Sequence, residues 1–400
     1  MTRPWLSIIG IGEDGALSPA ARGCVTGASL VVGGTRHLAL AAAHIHGDRL
    51  PWPRPIDAAI PAILARRPAP VAVLASGDPY WFGIGTTLAR HVPPAETRCI
   101  PAPSAFSLAC ATLGWTLQDC TVLSFCGRPL VPLLPALQPG ARILALSADA
   151  GTPAAAAAMM AAHGFGPSRL HVLEALGGPA HRVRTCTAAA FDLDAVHPLN
   201  MVAIEVHAAP AARIVPLASG LPDALFEHDG QITKREVRAI TLSTLAPRRG
   251  EHLWDIGCGS GSIGIEWCLR HPANRATALD GDPARAARAA RNAAALGVML
   301  DVVAGLAPAA LAGLPPPDAV FIGGGAADPG VIDAAWAALP PDGRLVANAV
   351  TLETEAALLD ARARLGGTLA RLSVERMDRI GAMHAYRPAM TVTQWLAIKP

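Results

Sequence analysis

The stretch Trp254–Gly264, WDIGCGSGSIG, limits the fold of this chain more than any other. The apolar run Leu253-Trp254-Asp255-Ile256 enters it, and Ile265-Glu266-Trp267-Cys268-Leu269 leaves it with helical character. Strand, tight glycine turn and helix in that order begin a βαβ unit, since a parallel partner strand is reached only by a crossover. The sequence beyond it keeps the pattern. Apolar runs at 276–280, 301–303, 319–322 and 344–347 alternate with helical stretches at Pro283–Leu296, Pro329–Leu339 and Leu352–Leu365. Near-continuous apolar strands indicate a parallel sheet covered on both faces. Two further runs, Ala370–Val374 and Thr391–Ile398, have no helix of similar length between them, which predicts an antiparallel pair finishing the sheet.

Two glycine patterns overlap in the turn. Gly259-Ser260-Gly261-Ser262-Ile263-Gly264 reads GxGxxG, and Gly257-Cys258-Gly259-Ser260-Gly261 reads GxGxG with Asp255 just before it. The first frame suits a dinucleotide, whose pyrophosphate would rest on the helix N-terminus. A carboxylate beside that dianion is unfavourable: two unit charges about 4 Å apart repel by roughly 1–4 kcal/mol at dielectrics of 80 to 20. S-adenosylmethionine has no phosphate and carries a sulfonium and an ammonium, which an acid favours. Asp255 therefore tips the turn toward the second frame. Asp280, about 20 residues further on, stands where a carboxylate accepts from ribose hydroxyls, and it serves either cofactor. Thr233 precedes Lys234-Arg235-Glu236, which predicts a capping box with Glu236 at the third position. It also places Arg235 and Arg238 one turn apart on one face.

The first half alternates differently. Strands are expected at Leu6–Ile9, Leu30–Val32, Val71–Leu74 and Ile100, then at 121–124, 143–146, 170–174 and 201–205. Two α/β lobes in one domain fit that series. The Ala- and Pro-rich stretch Ala208–Pro222 places the domain boundary near 210, giving domains at 1–210 and 211–400. The opening turn, with Gly10, Gly12 and Gly15, holds Glu13 and Asp14 inside it, so on spacing alone it reads as structural. Ser76-Gly77-Asp78-Pro79 is the better ligand loop, a strand end exposing backbone groups and one carboxylate.

Composition removes several classes. A formal net charge of +2 argues for neither nucleic acid nor a membrane surface. No apolar run reaches the roughly 18 residues of a membrane span. The eight cysteines show no CxxC pair and no His/Cys zinc spacing, so reduced thiols of a cytoplasmic protein without a metal site are expected.

The first half resembles the tetrapyrrole methyltransferase family, the class III methyltransferase fold. The matching pieces are Gly10-Ile11-Gly12, Val31-Val32-Gly33-Gly34, Ser76-Gly77-Asp78-Pro79, Pro103-Ser104-Ala105-Phe106 and Ser124-Phe125-Cys126-Gly127-Arg128-Pro129. The second half resembles the Rossmann-like class I methyltransferases of the corrin pathway, through Ile232–Arg238, Asp255–Gly264, Ala278-Leu279-Asp280 and Gly381-Ala382-Met383-His384. The fusion in this order covers nearly the whole chain. Cys126 departs from the family pattern, where histidine is expected in many relatives.

The resemblance implies an α/β protein with one S-adenosylmethionine site per domain. It implies methyl transfer to meso carbons 5 and 15 of a precorrin and decarboxylation of the ring C acetate, in cobalamin biosynthesis. Carbon 5 would belong to the first half, and carbon 15 with the decarboxylation to the second. Cofactor contacts would be Ser76, Gly77, Asp78, Ser104 and Ala105, then Thr233, Gly257, Cys258, Gly259, Ser260, Gly261, Asp280 and Ala307, with Asp255 added from the charge argument. A carboxylate-rich substrate calls for cations, and the candidates are Lys234, Arg235, Arg238, His384 and Arg387. Arg238→Ala is then expected to weaken tetrapyrrole binding and to spare the cofactor. Homo-oligomers are expected from the relatives of each half. No residue stands out as the acid for the decarboxylation.

Two other readings stay open on the residues alone. An RNA methyltransferase lacks support from any Asn-Pro-Pro-Tyr stretch or any arginine run interleaved with aromatics, which make up 4% of the chain. A nicotinamide-dependent oxidoreductase would use the GxGxxG frame.

Overall fold

A computed structural model describes residues 4–400. Its contacts divide the chain into two compact units. The first runs through Leu130 and continues over Ala136–Arg213, and the second takes Val131–Pro135 and Ile214–Pro400.

The first unit holds two sheets. β1 (Leu6–Ile11), β2 (Leu30–Gly33), β3 (Asp48–Pro51), β4 (Val71–Ser76) and β5 (Thr97–Ile100) form an all-parallel sheet ordered β3-β2-β4-β1-β5. β1 and β4 lie inside it, and their side chains are buried on both faces. Leu6 and Ile8 join Val71 and Val73 on one side; Ile9 and Ile11 join Ala72 and Leu74 on the other. β6 (Cys120–Ser124), β7 (Arg142–Leu146), β8 (Arg169–Glu174), β9 (Arg182–Thr187) and β10 (Asn200–Glu205) form a mixed sheet ordered β6-β7-β10-β8-β9. Helix Ala105–Leu113 starts where the Ser104 hydroxyl accepts from Ser107 N at 3.1 Å, and it stops at Gly114 in the left-handed region. Two strands go beyond the sequence reading. β3 (DRLP) and β9 (RVRTCT) are edge strands with mostly exposed side chains, so neither carries an apolar run.

The second unit is a seven-stranded sheet. Its strands are β11 (His252–Ile256), β12 (Arg275–Asp280), β13 (Asp301–Ala304), β14 (Ala319–Ile322), β15 (Arg344–Ala349), β16 (Thr368–Leu372) and the last strand, Val392–Ile398. A separate two-stranded ribbon, β17 (Glu375–Ile380) and β18 (Met383–Pro388), precedes that last strand, which is therefore β19. The order is β13-β12-β11-β14-β15-β19-β16, parallel through β15, with β19 antiparallel to both of its neighbours. The expected closing pair is thus present, with the ribbon inserted between its strands. Trp254 and Ile256 face one core with Val320, Ile322 and Trp395. Leu253 faces the other with Ile263, Trp267 and Phe321. Helix Pro283–Ala295 starts at Asp282, whose carboxylate accepts from Ala284 N at 2.8 Å, with proline at the first helical position.

The capping box does not form. Helix Arg235–Leu245 has Lys234 at its N-cap with no side-chain hydrogen bond, and Thr233 lies one residue outside it. Helix Val331–Ala338 starts later than Pro329 because Gly330, at φ +80°, ends the preceding turn.

Candidate active site

The second unit carries a cleft of about 850 Å³ at the carboxyl ends of its parallel strands, where open α/β sheets bind ligands. The turns after β11, β12, β13 and β14 form its floor, and residues 230–234 with Glu236 and Val237 form one wall. The three turn glycines serve different purposes. Gly257, at φ +68°, passes so close to Gly324 that a β-carbon would lie 2.7 Å from its nitrogen. A β-carbon on Gly261, at φ +74°, would meet Ala289 at 2.9 Å. Gly259, at φ +55°, has nothing nearer than 3.8 Å and leaves open space at the turn. Asp280 pins this turn: Gly259 N donates to its Oδ2 at 2.8 Å and Asp282 N to its Oδ1 at 3.0 Å. Each oxygen keeps lone-pair capacity for a further donor.

Asp255 needs a correction. Its side chain is 1% exposed and does not line the cleft. Oδ2 accepts the N–H of Gly264 at 2.9 Å, so the carboxylate satisfies an orphan donor in the first turn of helix Ser262–Arg270. Burial pushes its carboxyl up to about 7, the Gly264 N–H opposes that rise, and the charge of Asp280 adds to it. Ser260 and Gly261 also lie off the cleft; Ser260 is buried and its carbonyl accepts from Asn292 Nδ2.

Arg238 needs a larger correction. It is fully buried. Nε donates to Glu266 Oε1 at 2.6 Å, the other guanidinium nitrogens donate to the carbonyls of Thr233 and Leu221, and Asp223 lies at 3.1 Å. Its guanidinium also sits 4.8 Å from the centre of the Phe226 ring. All of these partners lie inside the protein and the side chain does not line the cleft, so it is not placed to meet a substrate carboxylate. Arg235 is exposed but lies off the cleft, donating to Gly220 O at 3.0 Å. His384 and Arg387 are on the ribbon strand β18, also off the cleft, with Arg387 paired to Asp378 at 3.2 Å.

Thr233, Lys234, Gly257, Cys258, Gly259, Asp280 and Ala307 do come together around the cleft. Arg376 of β17 lines it as well, ion-paired with Glu236. The sequence analysis missed this pair, because 140 residues separate its members and no local pattern marks either one.

The first unit carries a cleft of about 350 Å³ lined by Ser76, Gly77, Asp78, Ser104 and Ala105, with Gly12, Glu13, Arg36, His37 and Cys126 also on its wall. Gly10 has a packing role, since its β-carbon would lie 2.0 Å from Gly77 O. Asp78 folds its own loop, accepting from Tyr80 N at 2.8 Å. The His37 ring meets Ser76 Oγ at 2.9 Å. Burial, with Arg36 beside it, holds that imidazole down at about 4, so it is neutral near pH 7. The Cys126 thiol donates to Ser147 O at 3.3 Å. Nothing in the sequence joins Arg36 and His37 to Ser76, since β2 and β4 bring them together only in the fold.

A family profile described as tetrapyrrole (corrin/porphyrin) methylases matches residues 7–192, and one described as a precorrin methyltransferase domain matches residues 224–399. A precorrin-6Y C(5,15)-methyltransferase (decarboxylating) from Sinorhizobium sp. is 58% identical over 98% of this chain and 96% of its own length. A protein of the same name from Mycobacterium tuberculosis strain CDC 1551 is 42% identical over 98% of this chain and 99% of its own. A probable cobalt-precorrin-6B C(15)-methyltransferase (decarboxylating) from Pyrobaculum calidifontis is 38% identical over 44% of this chain and 95% of its own length.

Proposed function

Since the chain belongs to the precorrin-6Y C(5,15)-methyltransferase (decarboxylating) family, we propose that it methylates carbons 5 and 15 of a precorrin and removes the ring C acetate carboxyl, in cobalamin biosynthesis. The observation that carries this reading is the 58% identity to the Sinorhizobium protein over 98% of the chain, a span that includes the residues of both clefts. The first unit would serve carbon 5, and the second carbon 15 with the decarboxylation. A Pyrobaculum relative named for the C(15) reaction and the decarboxylation aligns with 44% of this chain, which supports keeping those two steps in one unit.

Each unit would hold one S-adenosylmethionine, and the residues fit that group. In the second unit, Gly259 leaves room at the turn and Asp280 has acceptor capacity for ribose hydroxyls. The same turn disfavours a pyrophosphate. The protein's own Asp255 carboxylate already occupies the N–H of Gly264 at the start of the helix. Asp255 thus counts against a dinucleotide by taking an N–H at the helix start, without facing the ligand. In the first unit, the backbone of Ser76-Gly77-Asp78 and the residues at the start of helix Ala105–Leu113 would make the equivalent contacts.

When bound, the sulfonium supplies a methyl group already attached to a good leaving group. An enamine-like meso carbon is already nucleophilic, so the protein's main task is in-line placement and exclusion of water. Asp280 fixes the turn, and Lys234 would set positive charge on the cleft wall for acetate and propionate groups, the Arg376 charge being matched by Glu236. On decarboxylation the electron pair of the broken carbon–carbon bond is taken up by the conjugated ring, and a proton then completes the new methyl group.

The test is the product mass after incubation with S-adenosylmethionine and the reduced precorrin. Gain of two methyl groups with loss of one carbon dioxide is expected. No change, with the cofactor bound, refutes the reading. Binding of two cofactors per chain in calorimetry, and a homo-oligomer in light scattering, are expected with it.

A further inference from the structure

Within the first unit, a second cavity of about 510 Å³ adjoins the cofactor cleft, and Asp78, Trp81 and Phe82 line both. The loop that separates them is built to hold aromatic rings outward. Asp78 accepts from Tyr80 N, Gly85 N donates to Pro79 O at 2.8 Å, and a β-carbon on Gly83 would meet that same oxygen at 2.4 Å. The tight fold leaves Phe82 at φ +55°, an uncommon conformation for an aromatic residue, and such strain gathers at functional sites. Tyr80, Trp81 and Phe82 are 44%, 40% and 42% exposed. Trp81 and Phe82 rest on buried Phe106, with ring centres 5.7 and 5.9 Å apart. Arg128, from the Ser124–Pro129 stretch, places its guanidinium 5.4 Å from the centre of the Phe82 ring and makes no ion pair among the described residues.

Three adjoining exposed aromatic side chains cost solvation, and an arginine without a carboxylate partner is free to take an anion. The two together match a molecule that is flat, conjugated and carboxylated at its rim. We propose that Tyr80, Trp81 and Phe82 form the acceptor shelf of the first unit, with Arg128 binding a peripheral carboxylate of the tetrapyrrole laid across it. Two of the shelf residues, Trp81 and Phe82, also line the cofactor cleft, so a ring on it stands beside the methyl donor. This rests on the methyltransferase reading above and adds the residues that hold the acceptor for carbon 5.

The experiment uses the full chain with S-adenosylmethionine and the reduced precorrin, scoring carbon 5 and carbon 15 products separately by mass and NMR. Arg128→Gln is expected to raise the precorrin KM for carbon 5 at least tenfold with kcat within about twofold, and Arg128→Lys to recover part of it. Trp81→Leu is expected to yield mainly a product methylated at carbon 15 and decarboxylated. S-adenosylhomocysteine affinity should not change in the Arg128 variants. Wild-type carbon 5 KM in both Arg128→Gln and Trp81→Leu overturns the shelf, as does a loss of S-adenosylhomocysteine binding in Arg128→Gln, which would assign that residue to the cofactor. A wild-type chain that methylates neither carbon overturns the underlying reading and the shelf with it.

Discussion

Replacing Arg238 by alanine should destabilise the second unit and should not act as a substrate-binding defect. Glu266 is fully buried, and its oxygens accept from Gly220 N at 2.7 Å, Leu221 N at 2.8 Å and Arg238 Nε at 2.6 Å. Without the guanidinium, the carboxylate keeps two backbone donors and loses its counter-charge. The carbonyls of Thr233 and Leu221 lose a donor as well. Breaking a buried pair from one side typically costs about 3–5 kcal/mol, a large share of the roughly 5–15 kcal/mol that holds a domain folded. Urea unfolding followed by far-UV circular dichroism and tryptophan fluorescence reads the change, since buried Trp267 is adjacent in sequence to Glu266. Arg238→Met combined with Glu266→Leu removes both charges but leaves Gly220 N and Leu221 N without their acceptor, so it should recover only part of the loss. If Arg238→Ala stays within about 1 kcal/mol of wild type while the precorrin KM rises, the ion pair is not the reason for this arginine, and Arg238 returns to the substrate site.

The parts of the fold legible in the sequence were those whose signal is local. Interior strands buried on both faces, such as β11, β12 and β14, must be largely apolar, and the glycine turn needs particular residues at particular positions. Edge strands β3 and β9 and the ribbon β17–β18 have no buried face, so nothing in their sequence separates them from loops. The candidate site divides along the same line. Gly257, Gly259 and Asp280 line the cleft where a turn and a strand end place them by short-range geometry, whereas Thr233 lines it although the capping box expected of it does not form. The arginines were not legible in this way, since a guanidinium serves a buried carboxylate as well as a ligand. Only the fold brings Glu266 to Arg238 and Glu236 to Arg376. Asp255 shows the subtler failure. Its position at the strand end was readable, but the direction of its side chain depends on where helix Ser262–Arg270 begins, which the overlapping glycine patterns left open.

The turn glycines should separate by function. Gly259→Ala meets open space, so it should cost about 1–2 kcal/mol for its left-handed backbone while weakening S-adenosylhomocysteine binding in calorimetry. Gly257→Ala adds a backbone clash and should lower both stability and affinity by more. Lys234→Ala should raise the precorrin KM about tenfold, the effect of losing one charge-assisted hydrogen bond of about 1.4 kcal/mol, with the urea midpoint unchanged; a shifted midpoint would make the residue structural. Asp255 predicts a pH signature. Its folded carboxyl is raised to about 7 from an unfolded value of about 3.9, so the native state binds more protons between those limits. The Asp255 contribution to stability must therefore fall as pH rises from about 4 to 7 and level off above. Asp255→Asn keeps an acceptor for Gly264 N and removes the charge, so its stability relative to wild type should improve steadily across that window. A difference that does not change with pH would mean the buried carboxyl is not held in its neutral form.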